Sequence, residues 1–503
     1  MKKKIFSIIV ILSLIIFPFL GKSNVNQKDI INDNINDKYQ IVEEKNLYYS
    51  SPTKSEEEFD DEDGFTKGAN FNNEFVNNNR NDLAKPLIAQ AIYSEDDDSL
   101  TFIIAEELVT VGEKYNDKTI TAVYTGFETS TYTSREEVPW YADDLSQTIK
   151  SVTFENEINP VSTAFWFYNF KNCQSYDLEK LNTSKTKTME AMFTNNQNLE
   201  SLDLTSFDVS NVKSFASMFY YCLNLKTIKG LNTWDTGNVE SLYYTFKHCR
   251  SLVNFNVENW DVSKVTDMED LFCDCHSIEK LNLSKWKTES LTNLQGTFTS
   301  IQKATLLDLT GWDTSKVTNM LQTFWNCENL TEIKGLSELD TSNVTEMRGL
   351  FGYFARSASE PAKIDISKWD TGNVTVMYNM FFGSNIAELD LSRLDTSNVT
   401  TMKYMFRNTQ AKTINISNWD VSNVTTFYGM FYGATNLETI YANETFENTI
   451  QSSAEKGYIF GLNNNLIGGN GTKFSDNSYK YARIDSNETP GYFTNIDDEE
   501  IPL

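Results

Sequence analysis

Apolar and polar positions repeat along the chain from about residue 159 to residue 446. Each unit has a marker position, which is Asp in most units, and a Phe always follows the marker eleven residues later. Successive markers lie 25 to 30 residues apart, so length varies only between a Phe and the next marker. Such a period is typical of a stacked repeat array. The markers are Asn182, Asp208, Asp235, Asp261, Lys287, Asp313, Asp340, Asp370, Asp395 and Asp420.

The spacing within a unit predicts two elements. Before the marker, apolar residues alternate with polar ones, as at Ile414 and Ile416, which is strand spacing. After it, apolar residues fall four, seven, ten and eleven positions on, which predicts a short amphipathic helix. Neither element can bury its apolar side alone, so the units must stack. The pattern predicts an α/β solenoid of about ten strand-turn-helix units of 25–27 residues, spanning residues 159–446.

The segments that flank the array have a different character. Residues 100–104, 120–124 and 149–154 are short β-type runs, so residues 86–158 are predicted to form a β-rich N-terminal cap. Residues 447–503 are predicted to form a C-terminal cap and tail.

The first residues have the pattern of an export signal. Lys2, Lys3 and Lys4 precede an apolar run over residues 5–20, and small residues follow at Gly21 and Ser23. Residues 1–23 are predicted to be a signal peptide, with an uncleaved anchor as the alternative. Residues 24–85 are acidic and rich in Asn, which predicts a disordered linker, or else a short acidic recognition tail. The mature protein is expected to be secreted or on the cell surface, without a membrane span.

The composition and the absence of certain motifs argue against several classes of function. The chain has 43 Lys and Arg against 70 Asp and Glu, for a net charge of -27, which disfavours nucleic acid as a partner. It has two histidines, which leaves little room for histidine-based metal sites or nucleophilic catalysis. No Gly-rich phosphate loop or nucleophile elbow is present either. The sequence therefore predicts that the protein is not an enzyme.

The unit pattern resembles leucine-rich repeats. Leu199, Leu202 and Leu204 fit the spacing L-x-x-L-x-L. The block Trp-Asp-Val-Ser-Asn-Val-Thr that begins at Trp419, followed by Met-Phe, is similar to the BspA-like leucine-rich-repeat surface proteins, and the resemblance covers roughly residues 145–446. It implies a surface or secreted adhesion protein. The chain departs from the pattern where Lys287 replaces Asp, where Leu339 and Leu394 replace Trp, and where a Gly is inserted near residues 230 and 335.

The acidic marker column has two interpretations. Each carboxylate could accept backbone N–H groups and cap the turn that follows. A column spaced by one strand separation could instead bind Ca²⁺ through oxygen ligands. We favour the capping role and expect no other metal or cofactor. The residues are Asp208, Asp235, Asp261, Asp313, Asp340, Asp370, Asp395 and Asp420.

Three further columns have a structural and a functional interpretation each. Trp residues such as Trp260 and Trp286 are expected in the core, with sugar stacking as the alternative. Cys residues such as Cys222 and Cys249 are expected to be buried free thiols. The alternative is a disulfide between successive repeat units (rungs), because their spacing falls within the Cα separation of a disulfide. Asn-x-Ser/Thr triplets, as at Asn398, are expected to serve the turn, with glycosylation as the alternative.

The strand face is the best candidate for a binding surface, because residues between the inward strand positions point outward. The protein is predicted to be an adhesin or protein-binding module for an extracellular or host protein, or for a glycan. A structural surface spacer and a calcium-dependent scaffold are the alternatives, and the oligomeric state stays open. The face residues are Asp203, Asn256, Asn282, Asp308, Asp365, Asp390 and Asn415.

Overall fold

The computed structural model describes residues 85–453 and 457–496. The predicted signal peptide (1–23) and all but the last residue of the predicted linker (24–85) lie outside these residues, as does the end of the predicted C-terminal tail.

The N-terminal part is a mixed five-stranded sheet with the order β5-β1-β2-β6-β7. Strand β1 pairs antiparallel with both β5 and β2, whereas β2 pairs in parallel with β6, and β6 in parallel with β7. The parallel edge continues into the repeat array, so this sheet covers the end of the solenoid that would otherwise be an open edge. The elements are β1 (Ile88–Ser94), β2 (Ser99–Ala105), a β3 (Lys114–Tyr115) and β4 (Lys118–Thr119) hairpin, β5 (Ala122–Thr125), α1 (Pro139–Ala142), β6 (Ser151–Phe154) and β7 (Ser175–Asp177).

An aromatic cluster fills the space beneath this sheet. Phe102 stacks on Phe154 with ring centroids 4.2 Å apart and on Trp166 at 5.6 Å, and Trp140 meets Phe102 edge-on at 5.5 Å. All four side chains are buried. The cluster merges with the core of the repeats, which seals the first rung from water.

Most rungs of the solenoid contribute a strand of two to four residues to a parallel sheet, whereas the rungs at residues 254–256 and 362–366 make only isolated β-bridges. The middle residue of a strand faces the core and its neighbours face outward, so Leu202 pairs with Ile228 while Asp203 pairs with Lys229. The ladder is divided into the groups β8-β9, β10-β12 and β13-β16. The strands are β8 (Ser201–Asp203), β9 (Thr227–Lys229), β10 (Lys280–Asn282), β11 (Leu306–Asp308), β12 (Ile333–Lys334), β13 (Glu388–Asp390), β14 (Thr413–Asn415) and β15 (Thr439–Ala442).

The C-terminal end is closed by one helix and one strand. Helix α2 (Glu444–Ser452) begins at Asn443, whose side chain accepts a hydrogen bond from the Phe446 N–H. Strand β16 (Thr494–Asn495) pairs parallel with β15. Strand β16 therefore covers the edge of β15, the last strand of the repeats.

The helix predicted after each marker is wrong. The segment instead makes one parallel β-bridge to the next rung, as between Ser214 and Ser241, and then a series of turns. The residues nine and thirteen positions after every marker are left-handed, for example Ser217 (φ 57°) and Tyr221 (φ 65°). A right-handed helix does not tolerate two such residues within five positions.

Hydrogen bonds between rungs explain this outcome. Alternate N–H groups of the turn segment donate to the following rung, as from Ser217 to the Tyr243 carbonyl at 2.8 Å and from Phe219 to the Thr245 carbonyl at 2.9 Å. The backbone is therefore satisfied by its neighbour and not by bonds within a helix. The predicted apolar positions are nevertheless buried, including Val374, Met377 and Phe381.

The marker-plus-eleven phenylalanines form a continuous stack through the core. The ten rings from Phe193 to Phe431, and Phe460 of the C-terminal cap after them, follow one another with centroids 5.5 to 6.2 Å apart and interplanar angles of at most 14°. Rings at this spacing are in near-parallel contact, so each rung buries the apolar face of the next. The array is thus a β-solenoid of about eleven turns with little helix.

The Trp and Cys columns also lie inside. Trp260 and Trp286 are buried, and each indole N–H donates to a carbonyl of the preceding rung, at 2.8 Å and 2.9 Å. No face of these rings is therefore open to a sugar. The six described cysteines are free and buried, and the Cys222 thiol donates to the Phe193 carbonyl at 3.1 Å. Burial raises the pKa of Cys222 to about 12, so the thiol stays protonated and keeps its donor.

Candidate functional site

The structure places six of the seven strand-face residues at or near the surface. Asp203, Asn256, Asn282, Asp365 and Asp390 are exposed, and Asp308 is half-buried. Asn415 is buried, with 9% of its surface accessible, because it lies between the Asp390 carboxylate, to which its amide donates at 3.0 Å, and Tyr441 on β15. The polar face therefore ends one rung before the C-terminal cap.

These residues also have a structural duty that the sequence analysis missed. In each of them, Oδ1 accepts a hydrogen bond from the backbone N–H two residues later, at 3.0 to 3.2 Å, as Asp365 does from Ser367 and Asp390 from Ser392. This is an Asx turn, which ends the strand. The Ser367 hydroxyl also donates to Asp365 and lowers the pKa of that carboxyl. The Ser or Thr that recurs in the sequence two positions after most of these residues is the feature that could have indicated the turn.

The marker carboxylates make the same local contact. All eight accept the N–H of the residue two positions on, at 2.9 to 3.2 Å. Hydrogen bonds from the serine side chain and then its backbone lower the pKa of Asp208 and Asp395. In the part of the chain that the structure describes, no group of three or more His, Cys, Asp or Glu side chains converges as a metal site requires. The capping role of the column remains a prediction that mutagenesis can test.

The residues that follow the marker join successive rungs. The Thr371 hydroxyl donates forward to the Asp395 carbonyl at 2.8 Å, and the Asn398 amide donates back to the Gly372 carbonyl at 2.7 Å. Equivalent Thr and Asn side chains repeat both contacts along the array. In the Asp-Thr-Ser-Asn block, the Asp therefore accepts a hydrogen bond within its own turn, the Thr donates to the following rung, and the Asn donates to the preceding rung.

A second polar cluster lies on the turn segments and was not anticipated. Both histidines contact one carboxylate: His248 Nδ1 lies 2.8 Å and His276 Nε2 3.5 Å from Asp274. Lys247 Nζ lies 2.5 Å from Asp270. Burial raises the pKa of Asp270. Burial acts in the same direction on Asp274, but the two histidines outweigh it and hold the pKa of Asp274 below its usual value.

The tyrosines of the turn segments are only partly exposed. Tyr378, Tyr428 and Tyr432 are half-buried and Tyr404 is buried. Lys403 lies 4.9 Å from the Tyr404 ring centroid and 5.6 Å from that of Tyr428. Cation–ring contacts of this kind stabilise the turn stack.

No helix among the described residues has the length and apolar character to cross a membrane.

Similarity to known proteins was sought at the level of sequence and of structure. No curated protein matches this chain. Among solved structures it is similar to the Toll–Spatzle complex from Drosophila (16% identity, 62% of this chain and 41% of that chain, TM-score 0.22). It is also similar to a leucine-rich cell surface protein from Faecalibacterium prausnitzii (12%, 76% and 82%, TM-score 0.21) and a leucine-rich repeat protein from Bacteroides ovatus (14%, 77% and 82%, TM-score 0.20). The chain thus spans less than half of the Drosophila chain.

One family matches over most of the repeat array. The matched segments are residues 144–254, 224–305, 292–360 and 353–455, which together span residues 144–455 and so more than half of the chain. The matched region begins near β6 and ends with α2, so it coincides with the stacked rungs described above. The chain therefore belongs to the family described as "Mycoplasma protein of unknown function, DUF285".

Proposed function

We propose that the protein is a secreted or cell-surface repeat protein that acts as an adhesin, binding an extracellular or host protein through its strand face. It would be a non-catalytic scaffold of the BspA-like leucine-rich-repeat kind. The observation that carries this proposal is the row of outward Asp and Asn side chains, which occupy this position in seven rungs, with Lys229 and Lys334 at the same position in two others. Extended repeat surfaces of this kind are used to bind proteins.

The free oxygens of this row are available to a partner. Oδ1 of Asp365 and Asp390 holds the local turn, but Oδ2 of each accepts no hydrogen bond from the described residues. Each carboxylate is thereby fixed in orientation with one acceptor facing solvent. An Arg or Lys side chain of a partner can bond to such a pre-oriented oxygen at little entropic cost.

The charge of the protein favours a basic partner surface. The net charge is -27, and the exposed face contributes carboxylates at Asp203, Asp365 and Asp390. Opposite charge on a partner would accelerate association, and salt would weaken the effect. Binding should therefore decline as ionic strength rises.

The test is a screen of the purified mature protein against host matrix proteins and glycans, with and without EDTA. For any ligand found, the double variant Asp365→Asn with Asp390→Asn is informative, because the amide oxygen keeps the turn while the charge is lost. We expect weaker binding at an unchanged melting temperature. The matched control is Asp370→Asn with Asp395→Asn in the marker column, which should bind like the wild type. Equal binding by both double variants would refute the strand-face proposal.

A structural spacer is the second candidate function. It is favoured by the two caps, whose strands cover the repeat strands at both described ends of the array. A spacer would bind no ligand in the screen. A calcium-dependent scaffold is the third candidate function. Such a protein would bind a ligand only in the assays without EDTA.

A further inference from the structure

The strand ladder is interrupted in several places, and one of them lies between β12 and the rung that follows it. Lys363 donates its N–H to the Thr331 carbonyl at 3.0 Å, but no backbone hydrogen bond joins Ile333 and Lys334 to Ile364 and Asp365 within the described chain. In the regular rungs this pairing is complete, as between Leu389 and Ile414. The backbone N–H and C=O groups without a bond here are those that would join β12 to the next strand in a complete ladder.

An inserted glycine lies at the end of β12. Gly335 is left-handed (φ 79°) and leads into a 3₁₀ turn over Leu336–Glu338, which adds one residue to the end of the strand. A Cβ at residue 335 would lie 2.7 Å from the Thr310 nitrogen, so only glycine fits against the preceding rung. The end of β12 therefore packs closely against the preceding rung.

The following rung is also displaced by the longest interval in the array. The markers Asp340 and Asp370 are 30 residues apart, and the additional residues lie just before Pro361. Gly230 opens a similar 3₁₀ turn, but there Ile228 still donates to the Asn254 carbonyl at 2.9 Å. At the opening after β12, the inserted glycine and the longest interval occur together.

The separation leaves a groove of about 720 Å³. One wall is formed by residues 331–337, and the other by Glu360, Pro361 and residues 363–365. Ile364 lies in the column of inward strand residues, in which Ile333 and Leu389 are buried, whereas Ile364, like Phe255, is only partly covered. The groove therefore offers an apolar side chain between two strand-like walls with unpaired backbone groups.

The rim of the groove has more acidic than basic groups. Glu332, Glu360 and Asp365 are exposed carboxylates. Of the two lysines, Lys334 is directed to Asp308, with Nζ 3.9 Å from Oδ2, which leaves Lys363 facing three carboxylates. An occupant that carries basic side chains is complementary to this rim.

We propose that this groove binds an extended segment of a partner protein, inserted as an additional strand between Lys334 and Asp365, with an apolar side chain over Ile364 and basic side chains at the rim. Main-chain hydrogen bonds would supply affinity, and the alternating side chains would supply specificity. This inference rests on the proposed protein-binding function and specifies where and how the partner is held.

The first test uses the probe acetyl-Lys-Val-Lys-Val-Lys-Val-amide and hydrogen exchange on the full chain. In the free protein, amides of residues 364–366 should exchange faster than those of residues 388–391. The probe should slow exchange at residues 332–336 and 364–366. Equal exchange of the two segments in the free protein, or protection confined to other rungs, would overturn the proposal.

The second test separates backbone pairing from charge attraction. A probe with N-methylated valines keeps the charge and the side chains but loses the N–H groups, so it should bind about tenfold more weakly. Asp365→Lys should likewise weaken the unmodified probe about tenfold. Asp390→Lys, which makes the same change in a closed rung and also loses one Asx turn, should have less than about a threefold effect. Equal binding of the two probes, or equal effects of the two variants, would contradict strand insertion.

The outcomes also distinguish this inference from the proposed function. If a natural partner binds and Asp365→Lys matters no more than Asp390→Lys, the groove proposal fails while the strand-face proposal stands. If the probe binds in the groove but the screen yields no partner protein, the groove stands and the adhesin proposal fails.

Discussion

The indole of Trp325 lies against the backbone of Gly352 in the following rung, so closely that a Cβ at residue 352 would be 2.0 Å from Cζ3 of the ring. The same relationship recurs where Tyr404 covers Gly429 and Tyr432 covers Gly461. An aromatic ring of one rung therefore occupies the space that a side chain would need in the next. These contacts form an outer layer over the turn segments, separate from the phenylalanine stack.

Gly352→Ala should destabilise the protein because the added methyl group must displace the Trp325 ring. Overpacking of this kind costs about 1–3 kcal/mol. Urea denaturation would measure the change. Gly237→Ala is the matched control, since its Cβ would meet its nearest neighbour at 3.4 Å. If the ring is the cause, Trp325→Leu should suppress the effect of Gly352→Ala. Independent, additive losses would contradict this explanation.

Trp234 and Trp260 should respond differently to replacement by Phe. The Trp260 indole N–H donates to the Leu231 carbonyl at 2.8 Å, whereas the Trp234 N–H is buried without a partner among the described residues. Gly230 packs against the Leu204 carbonyl, the acceptor equivalent in position. Trp260→Phe should therefore cost about 0.5–1.5 kcal/mol more than Trp234→Phe, because it removes the shorter of the two hydrogen bonds that the Leu231 carbonyl accepts. Equal losses of stability for the two variants in thermal denaturation would contradict this prediction.

The stability of the wild type should decline on acidification through the Asp274 site. The pKa of Asp274 is lowered in the folded state from its usual 3.8 by His248 and His276. The unfolded chain therefore binds more protons between these two pKa values, and the stabilisation present above pH 3.8 is lost as the pH falls toward the folded pKa. Asp274→Asn should be less stable than the wild type at pH 5, with a smaller difference at pH 3. A difference that does not depend on pH would show that the contacts are not electrostatic.

Calcium should have little effect if the marker carboxylates serve turns. Millimolar Ca²⁺ should shift the melting temperature by no more than a degree or two, because only an ion that binds the folded state stabilises it. Asp395→Asn should keep most of the stability, since the amide oxygen still accepts the Ser397 N–H that the carboxylate accepts at 2.9 Å. A large rise in melting temperature with Ca²⁺, abolished by Asp395→Asn, would favour the metal interpretation.

The repeat period alone determined which side chains form the core. Val374, Met377 and Phe381 are buried as the spacing indicates, because a column of equivalent residues in a stacked array has one common environment. The strands and the capped ends follow from the same argument. The inserted glycines near residues 230 and 335 were visible too, although their effect on the ladder was not.

Only the tertiary structure decided the conformation of the turn segments and the shape of the strand face. Apolar residues at four, seven, ten and eleven positions suit a helix and a series of turns equally, and the left-handed positions are occupied by residues as different as Ser217, Gln322 and Tyr404. The turns are stabilised by hydrogen bonds to residues about 26 positions away, which no local pattern reveals. For the same reason the burial of Asn415 and the groove beside Ile364 appear only once neighbouring rungs are in contact, since each depends on how two rungs pack together and not on either rung alone.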